Sequence, residues 1–372
     1  DARLSGKRLL LLGVAAVLVC GLPVAIASRV ISYVGLFEDR FSLPFVFGVS
    51  ILFAAALPSE RRRTTALYVI SISLLFLAGA HHFRNQNDFR NDWNNTRLIF
   101  TQVSWRMPDI VPETSILMCD TPISMRNVHT AGMLDLLYGK VRNDGGFVYW
   151  LFDLNKTIHV EIKDRMDPGE FYATSLKTSG TLATALRRFT FRGSAERAVV
   201  AWISPSGTLR VLDPGTTSEI TNLPNSCRLA SHLSNLKRIR EPISHTAAWP
   251  LLAIQNGSGG HDWQFNYQAA DLARQNNNWT KVAMIADKLQ SQQLEPIDVN
   301  EWFLFIEGYA MADQLGSAVG LTERVLDMSL KETKALSILW NRILTQRSQS
   351  TDAESGTLSP LKDRLLLDLI DR

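Results

Sequence analysis

Three stretches without a single charge, crowded into the first eighty residues, constrain this chain more than anything else in it. They run Leu9 to Ala27, Phe41 to Pro58 and Thr64 to Ala80, and hold 19, 18 and 17 residues rich in Leu, Val, Ala, Ile and Phe. A helix that crosses a bilayer needs about 17–25 such residues, because ~30 Å of hydrocarbon divided by 1.5 Å of rise is ~20. A buried helix of a soluble core is usually shorter and keeps a polar stripe. The runs therefore predict an α-helical transmembrane segment of three spans over residues 1–82. The overall 46% apolar content and net charge of +3 look ordinary, but the average conceals this concentration at one end.

Basic residues orient the expected spans. Arg3, Lys7 and Arg8 precede the first run, and Arg61, Arg62 and Arg63 sit between the second and third. The loop between the first two runs carries Arg29 and Arg40 beside Glu38 and Asp39. Because Lys and Arg favour the cytoplasmic side, the pattern predicts a polytopic plasma-membrane protein. Its N-terminus is cytoplasmic and the residues after about 82 are extracytoplasmic. Ala25-Ile26-Ala27 also matches a signal-peptidase site, but two further runs follow closely, which favours an uncleaved span. The chain opens on Asp1 rather than Met, so a fragment of a longer protein is the expectation.

Beyond residue 82 the pattern changes. Residues 83–105 read as a membrane-proximal helix that Pro108 and Pro112 stop. Residues 106–225 read as an α+β domain, mainly antiparallel. Its expected parts are a strand at Ser115 to Cys119, a helix from Asn127 to Leu137 ended by Gly139, and strand-like stretches at 147–152, 158–162, 171–175 and 188–191. Its clearest signal is a β-hairpin near 197–212, where two β-rich runs flank Ser204-Pro205-Ser206-Gly207. A connector fills 226–261. Residues 262–346 return to helical periodicity as a repeat-like domain. "WQFNYQAADLARQNNNWTKVAMIADKLQ" and "VNEWFLFIEGYAMADQLGSAVGLTERVLD" each read as a helix pair, and a shift of 39 residues aligns them. They resemble tetratricopeptide-type hairpins with a longer period. A polar linker and a short amphipathic helix close the chain over 347–372. The expected fold class is thus three transmembrane spans, an exported α+β domain and a C-terminal α-helical, tetratricopeptide-like hairpin domain.

The chemistry-bearing patterns are few. Glu38 and Asp39, adjacent in the expected external loop, are the candidate binding residues, since paired carboxylates hold metal-diphosphates or act as bases; a plain polar loop is the commoner reading of such a pair. Cys119 and Cys227 both fall in the expected oxidising compartment, which allows a disulfide; two buried free thiols are the commoner reading. Cys20 reads as a small apolar residue. No CxxC pair, GxSxG, HExxH, P-loop or GxGxxG occurs, so no metal site or cofactor is expected, and the residues assign no catalytic role. Lys and Arg are dispersed rather than gathered on one face, which argues against nucleic acid.

Several stretches in order, "DRFSLPFVFGVSILFAAAL", "WRMPDIVPETSIL", "SGTLRVLDP" and "ADLARQNNNW" followed by "FIEGYA", resemble the C-terminal portion of uncharacterised bacterial polytopic membrane proteins. These in turn resemble, distantly, multi-span glycosyltransferases that use lipid-linked sugars. The resemblance implies an integral envelope protein with an acidic residue in an earlier external loop, and carries no catalytic residue onto this chain. Two functions are expected from it and from the residues: the end of a glycosyltransferase-like protein, or a non-enzymatic membrane-anchored scaffold that binds an envelope partner through its helical repeats. The expected partners are the lipid bilayer and an envelope protein or a lipid-linked sugar.

Overall fold

The computed structural model describes residues 6–26, 43–56, 61–119, 127–140, 142, 144, 146–154, 181–186, 189–241 and 263–350. The chain is mostly helical with a small sheet. It divides into two compact units, Asp1–Trp93 and Asn94–Arg372, and the division falls within a single long helix.

The first unit holds α1 (Gly6–Ile26), α2 (Leu43–Ala56) and the N-terminal part of α3 (Arg61–Arg106). Gly13 and Gly48 let α1 and α2 approach closely. A Cβ on Gly13 would stand 2.7 Å from the Leu52 side chain, and one on Gly48 2.7 Å from Val17. The remaining surfaces are apolar and exposed: Leu11, Leu18, Phe47 and Phe53 all face outward.

The expected fold class is corrected here. Among the described residues no helix is long and apolar enough to cross a membrane, so three transmembrane spans over 1–82 are not supported. Over its described residues α2 holds 14 residues, about 21 Å at 1.5 Å per residue, against ~30 Å of hydrocarbon. In α3 the apolar run is closed by Arg63 on one side and by His81, His82 and Arg84 on the other, and residues 85 to 97 that follow are mostly polar. In α1 the first turn carries Lys7 and Arg8.

The second unit is built on a four-stranded sheet in the order β3-β2-β6-β7. A two-residue β1 (Asp109–Ile110) pairs with β8 (Ile239–Arg240) apart from it. In the main sheet β2 (Ser115–Cys119) lies parallel to β3 (Trp150–Asp153) and to β6 (Ala198–Ile203). Helix α4 (Asn127–Leu137) connects β2 to β3, and β7 (Leu209–Val211) returns antiparallel to β6. The sheet is therefore mixed with a parallel centre, not mainly antiparallel. The reason is burial on both faces. Ile116, Met118, Val199 and Ala201 face one core, with Ile99, Phe100 and Val103 of α3. Leu117, Cys119, Ala198, Val200 and Trp202 face the other. Strands covered on both sides read as unbroken apolar runs, and such strands are commonly parallel.

The hairpin between β6 and β7 turns on Gly207 at φ +80, where Ser204 N–H donates to Thr208 O at 2.9 Å and Gly207 N–H to Ser204 O at 2.8 Å. A second hairpin pairs β4 (Thr181–Leu186) with β5 (Phe189–Ser194). The outer edge of β7 is covered by two buried glutamines. Leu209 N–H donates to Gln102 Oε1 at 2.7 Å, and Gln268 Nε2 donates to Leu209 O at 2.7 Å. Gln102 Nε2 also donates to Gly207 O at 2.8 Å. The short α5 (Asn225–Ala230) precedes β8. The strands expected at 158–162 and 171–175, most of the 226–261 connector, and the amphipathic tail lie outside the described residues.

The helical array comprises α6 (Trp263–Gln275), α7 (Trp279–Ser291), α8 (Phe303–Met311), α9 (Leu315–Met328) and α10 (Thr333–Ser350). Two of its turns repeat in detail. Asn277 and Asp313 take positive φ (56 and 63), Asn278 N–H donates to Ala273 O, and Gln314 N–H donates to Tyr309 O. Equivalent positions are therefore 36 residues apart, not the 39 read from side-chain likeness. At that spacing Ala270 matches Ile306, Val282 matches Ala318 and Leu289 matches Val325, and all six are fully buried. Gly308 lies directly against Val282, with no room for a Cβ, so α7 and α8 pack backbone to side chain.

Candidate functional site

Where the array meets the sheet, charge is buried in quantity. Arg106, the last residue of α3, has no exposed side-chain surface, and its Nε donates to Asp271 Oδ2 of α6 at 2.5 Å. Its Nη1 donates to Gln275 Oε1 at 2.9 Å. Asp271 also accepts from Arg274 at 3.1 Å. Arg274 in turn lies 3.6 Å from Asp213, just after β7, and 3.9 Å from Glu307 of α8. Arg342 of α10 closes the chain of contacts, donating to Glu219 at 2.5 and 3.0 Å and to Glu307. A single network thus joins α3, the β7 loop, α6, α8 and α10. Buried charges persist only where they are paired and hydrogen-bonded.

The carboxyls of this network differ in their protonation. Burial disfavours charge on Asp271, but Arg106 and Arg274 outweigh it and hold the carboxyl below its ordinary value. At Glu219 burial dominates and raises the carboxyl, against the pull of Arg342. Glu301 is likewise raised by burial, against Arg210; it accepts from Ser206 at 2.8 Å and from the Trp263 indole. Burial also raises Glu332, with Asp298 adding to it.

Two cavities flank the network. The smaller, about 50 Å³, is walled by Arg210, Tyr267, Asp271, Arg274, Asn300 and Glu307 among others. The larger, about 390 Å³, lies among Lys237, Arg274, Asn277, Trp279, Arg342 and Gln346. They share Asp213, Thr216, Arg274 and Glu307 as walls. Arg210 is buried, stands 3.5 Å from Asp298 and 5.8 Å from the centre of the Tyr267 ring, and uses neither Nε nor Nη2 in a hydrogen bond to the described residues. The Asn300 Oδ1 atom likewise accepts from none of them.

The residues singled out from the sequence fall elsewhere. Glu38 and Asp39 lie outside the described residues. The structure brings Cys119 at the end of β2 and Cys227 in α5 together as a disulfide, with Cα atoms 5.5 Å apart and both side chains buried. Among the described residues no group of three or more His, Cys, Asp or Glu could hold a metal ion. The network itself was missed. Its signal was present: Glu307 is the one charge in "FLFIEGYA", and Asp271 and Arg274 sit among the small apolar residues of "AADLAR". Charges on the core-facing side of a helix mark a buried pair or a site.

Neither a protein-family model, a curated protein nor a solved structure matches this chain.

Proposed function

We propose that this chain is a lipid-associated, non-enzymatic scaffold: the apolar residues of α1 to α3 seat against lipid, and the helical array of the second unit is its interaction surface. One observation carries the lipid half. Tyr68, Val69, Ile70, Ile72, Leu74, Leu75, Phe76 and Leu77 are all exposed, Phe76 to 77%. Being nearly consecutive, they surround the helix instead of forming a stripe. A stripe fits one protein partner; an apolar surface on every side calls for an apolar surrounding. The reading concerns contact with lipid, not passage across it. The array supports the scaffold half, because stacked helix pairs form extended surfaces suited to partners.

Flotation tests the proposal. The chain is mixed with neutral phosphatidylcholine vesicles at high salt, which screens charge attraction, and centrifuged through a density gradient. It is expected to rise with the vesicles, and L75D/F76D is expected to rise less. A chain that stays at the bottom, monodisperse in plain buffer, overturns the proposal.

A further inference from the structure

We infer, resting on the lipid contact proposed above, that the first unit selects anionic phospholipid through a cationic rim where α1 begins, α2 ends and α3 begins. Gly13 stands against Leu52, and Gly48 against Val17. The numbers rise along one helix as they fall along the other, so α1 and α2 run antiparallel and Leu9 lies level with Ala56. Lys7 and Arg8, in the first turn of α1, therefore flank the end of α2. Arg61, Arg62 and Arg63 open α3 five residues after Ala56, a stretch that spans at most ~18 Å. Neither first turn holds an acidic residue, and Glu60 is the one carboxylate between Ala56 and Arg61. Five cations thus meet one carboxylate at this end. At the other end, residues 27–42 join α1 to α2 with two of each, Arg29 and Arg40 against Glu38 and Asp39.

Charge and apolar surface adjoin at the rim. Arg8 is exposed, and so are Leu10, Leu11 and Leu12 directly after it. In α3 the exposed apolar run starts at Tyr68, five residues beyond Arg63, or about 7.5 Å along the helix. That is within the ~8 Å over which charge acts at physiological salt. Free phosphate or a soluble polyanion would satisfy the cations and leave the leucines in water. A phospholipid surface satisfies both, because its headgroups lie directly above its acyl chains. A negative headgroup then adds attraction, since each Lys or Arg near an anionic surface strengthens binding about fivefold.

The test compares binding of the full chain at low salt to vesicles of phosphatidylcholine alone and to vesicles in which about a third is phosphatidylglycerol. Binding to the anionic vesicles is expected to be at least fivefold tighter, and high salt is expected to erase the gain. R61Q/R62Q/R63Q is expected to cut the gain at least threefold while binding to neutral vesicles stays the same. R61K/R62K/R63K is expected to keep the gain, because the attraction depends on charge alone. K281Q/K331Q/K334Q, which neutralises three exposed lysines of the helical array, removes equal charge elsewhere and is expected to keep it too. Failure to bind neutral vesicles overturns the lipid contact itself. With that contact intact, a gain below fivefold, a smaller drop in R61Q/R62Q/R63Q, or an equal drop in the lysine variant overturns the preference for anionic lipid. Displacement from the anionic vesicles by polyglutamate or single-stranded DNA at equal charge overturns it as well, in favour of a soluble polyanion.

Discussion

Asp271→Asn is the most informative single change, because one carboxylate holds two buried guanidinium groups. Arg274 keeps two other acidic neighbours, Asp213 at 3.6 Å and Glu307 at 3.9 Å. Arg106 does not: apart from Asp271 it retains the neutral Gln275 oxygen at 2.9 Å. Breaking a buried ion pair from one side costs about 3–5 kcal/mol, since the remaining charge stays desolvated. Asparagine still offers one carbonyl acceptor, which places the expected loss near ~3 kcal/mol. With a urea slope of ~3 kcal/mol per M, that shifts the unfolding midpoint by about 1 M. The assay is urea unfolding followed by near-ultraviolet circular dichroism, where the buried indoles of Trp302 and Trp340 report the array. A second arm pairs R106M with D271L. Removing both charges is expected to cost less than the sum of the two single changes, giving a coupling of at least ~1.5 kcal/mol. A loss below ~1 kcal/mol for D271N, or no coupling, refutes the claim that this pair fastens α3 to α6.

Gly308→Ala is expected to destabilise the array by about 1–3 kcal/mol, because the new methyl meets Val282; the helix-propensity gain of up to ~1 kcal/mol has the opposite sign, so a net gain in melting temperature refutes the close packing. Burial raises Glu219, Glu301 and Glu332, so their contribution is fully present below the ordinary glutamate value of ~4.3 and is lost as pH rises through their folded values. Asp271 is lowered and its contribution is lost only in stronger acid, so melting temperature is expected to peak on the acid side of neutrality, with E219Q flattening the profile. C227S is expected to cost about 2–5 kcal/mol under oxidising conditions, because the disulfide closes a separation of 108 residues; equal stability of wild type and variant without reductant refutes a closed disulfide.

Local chemistry was the most legible part of this chain. Pro108 ended α3 at Arg106, Gly139 took φ 59 after α4, and the turn at Gly207 separated β6 from β7. What local chemistry did not reveal was which faces would be covered. "SILMC" and "AVVAWI" are apolar at successive positions, the mark of strands covered on both sides, yet the neighbouring hairpin drew the expectation towards an antiparallel sheet. The array's register was missed for a related reason: matching residue types favoured a shift of 39, whereas the repeated geometry is in the turns at Asn277 and Asp313. The apolar runs near the N-terminus set composition but not helix extent, and the described α2 holds 14 residues. The buried ion network was least legible, because its members lie up to 236 positions apart, from Arg106 to Arg342, and only the folded chain brings them together.

The two glutamines beside β7 have a consequence for assembly. An open strand is a template on which another chain can add itself, as in amyloid growth and in strand-exchange complexes. Gln102 and Gln268 occupy the main-chain groups of Leu209 that an incoming strand would need, and so blunt that template from within. Growth of the sheet by copies of this protein is blocked at Leu209 for as long as α3 and α6 stay in place.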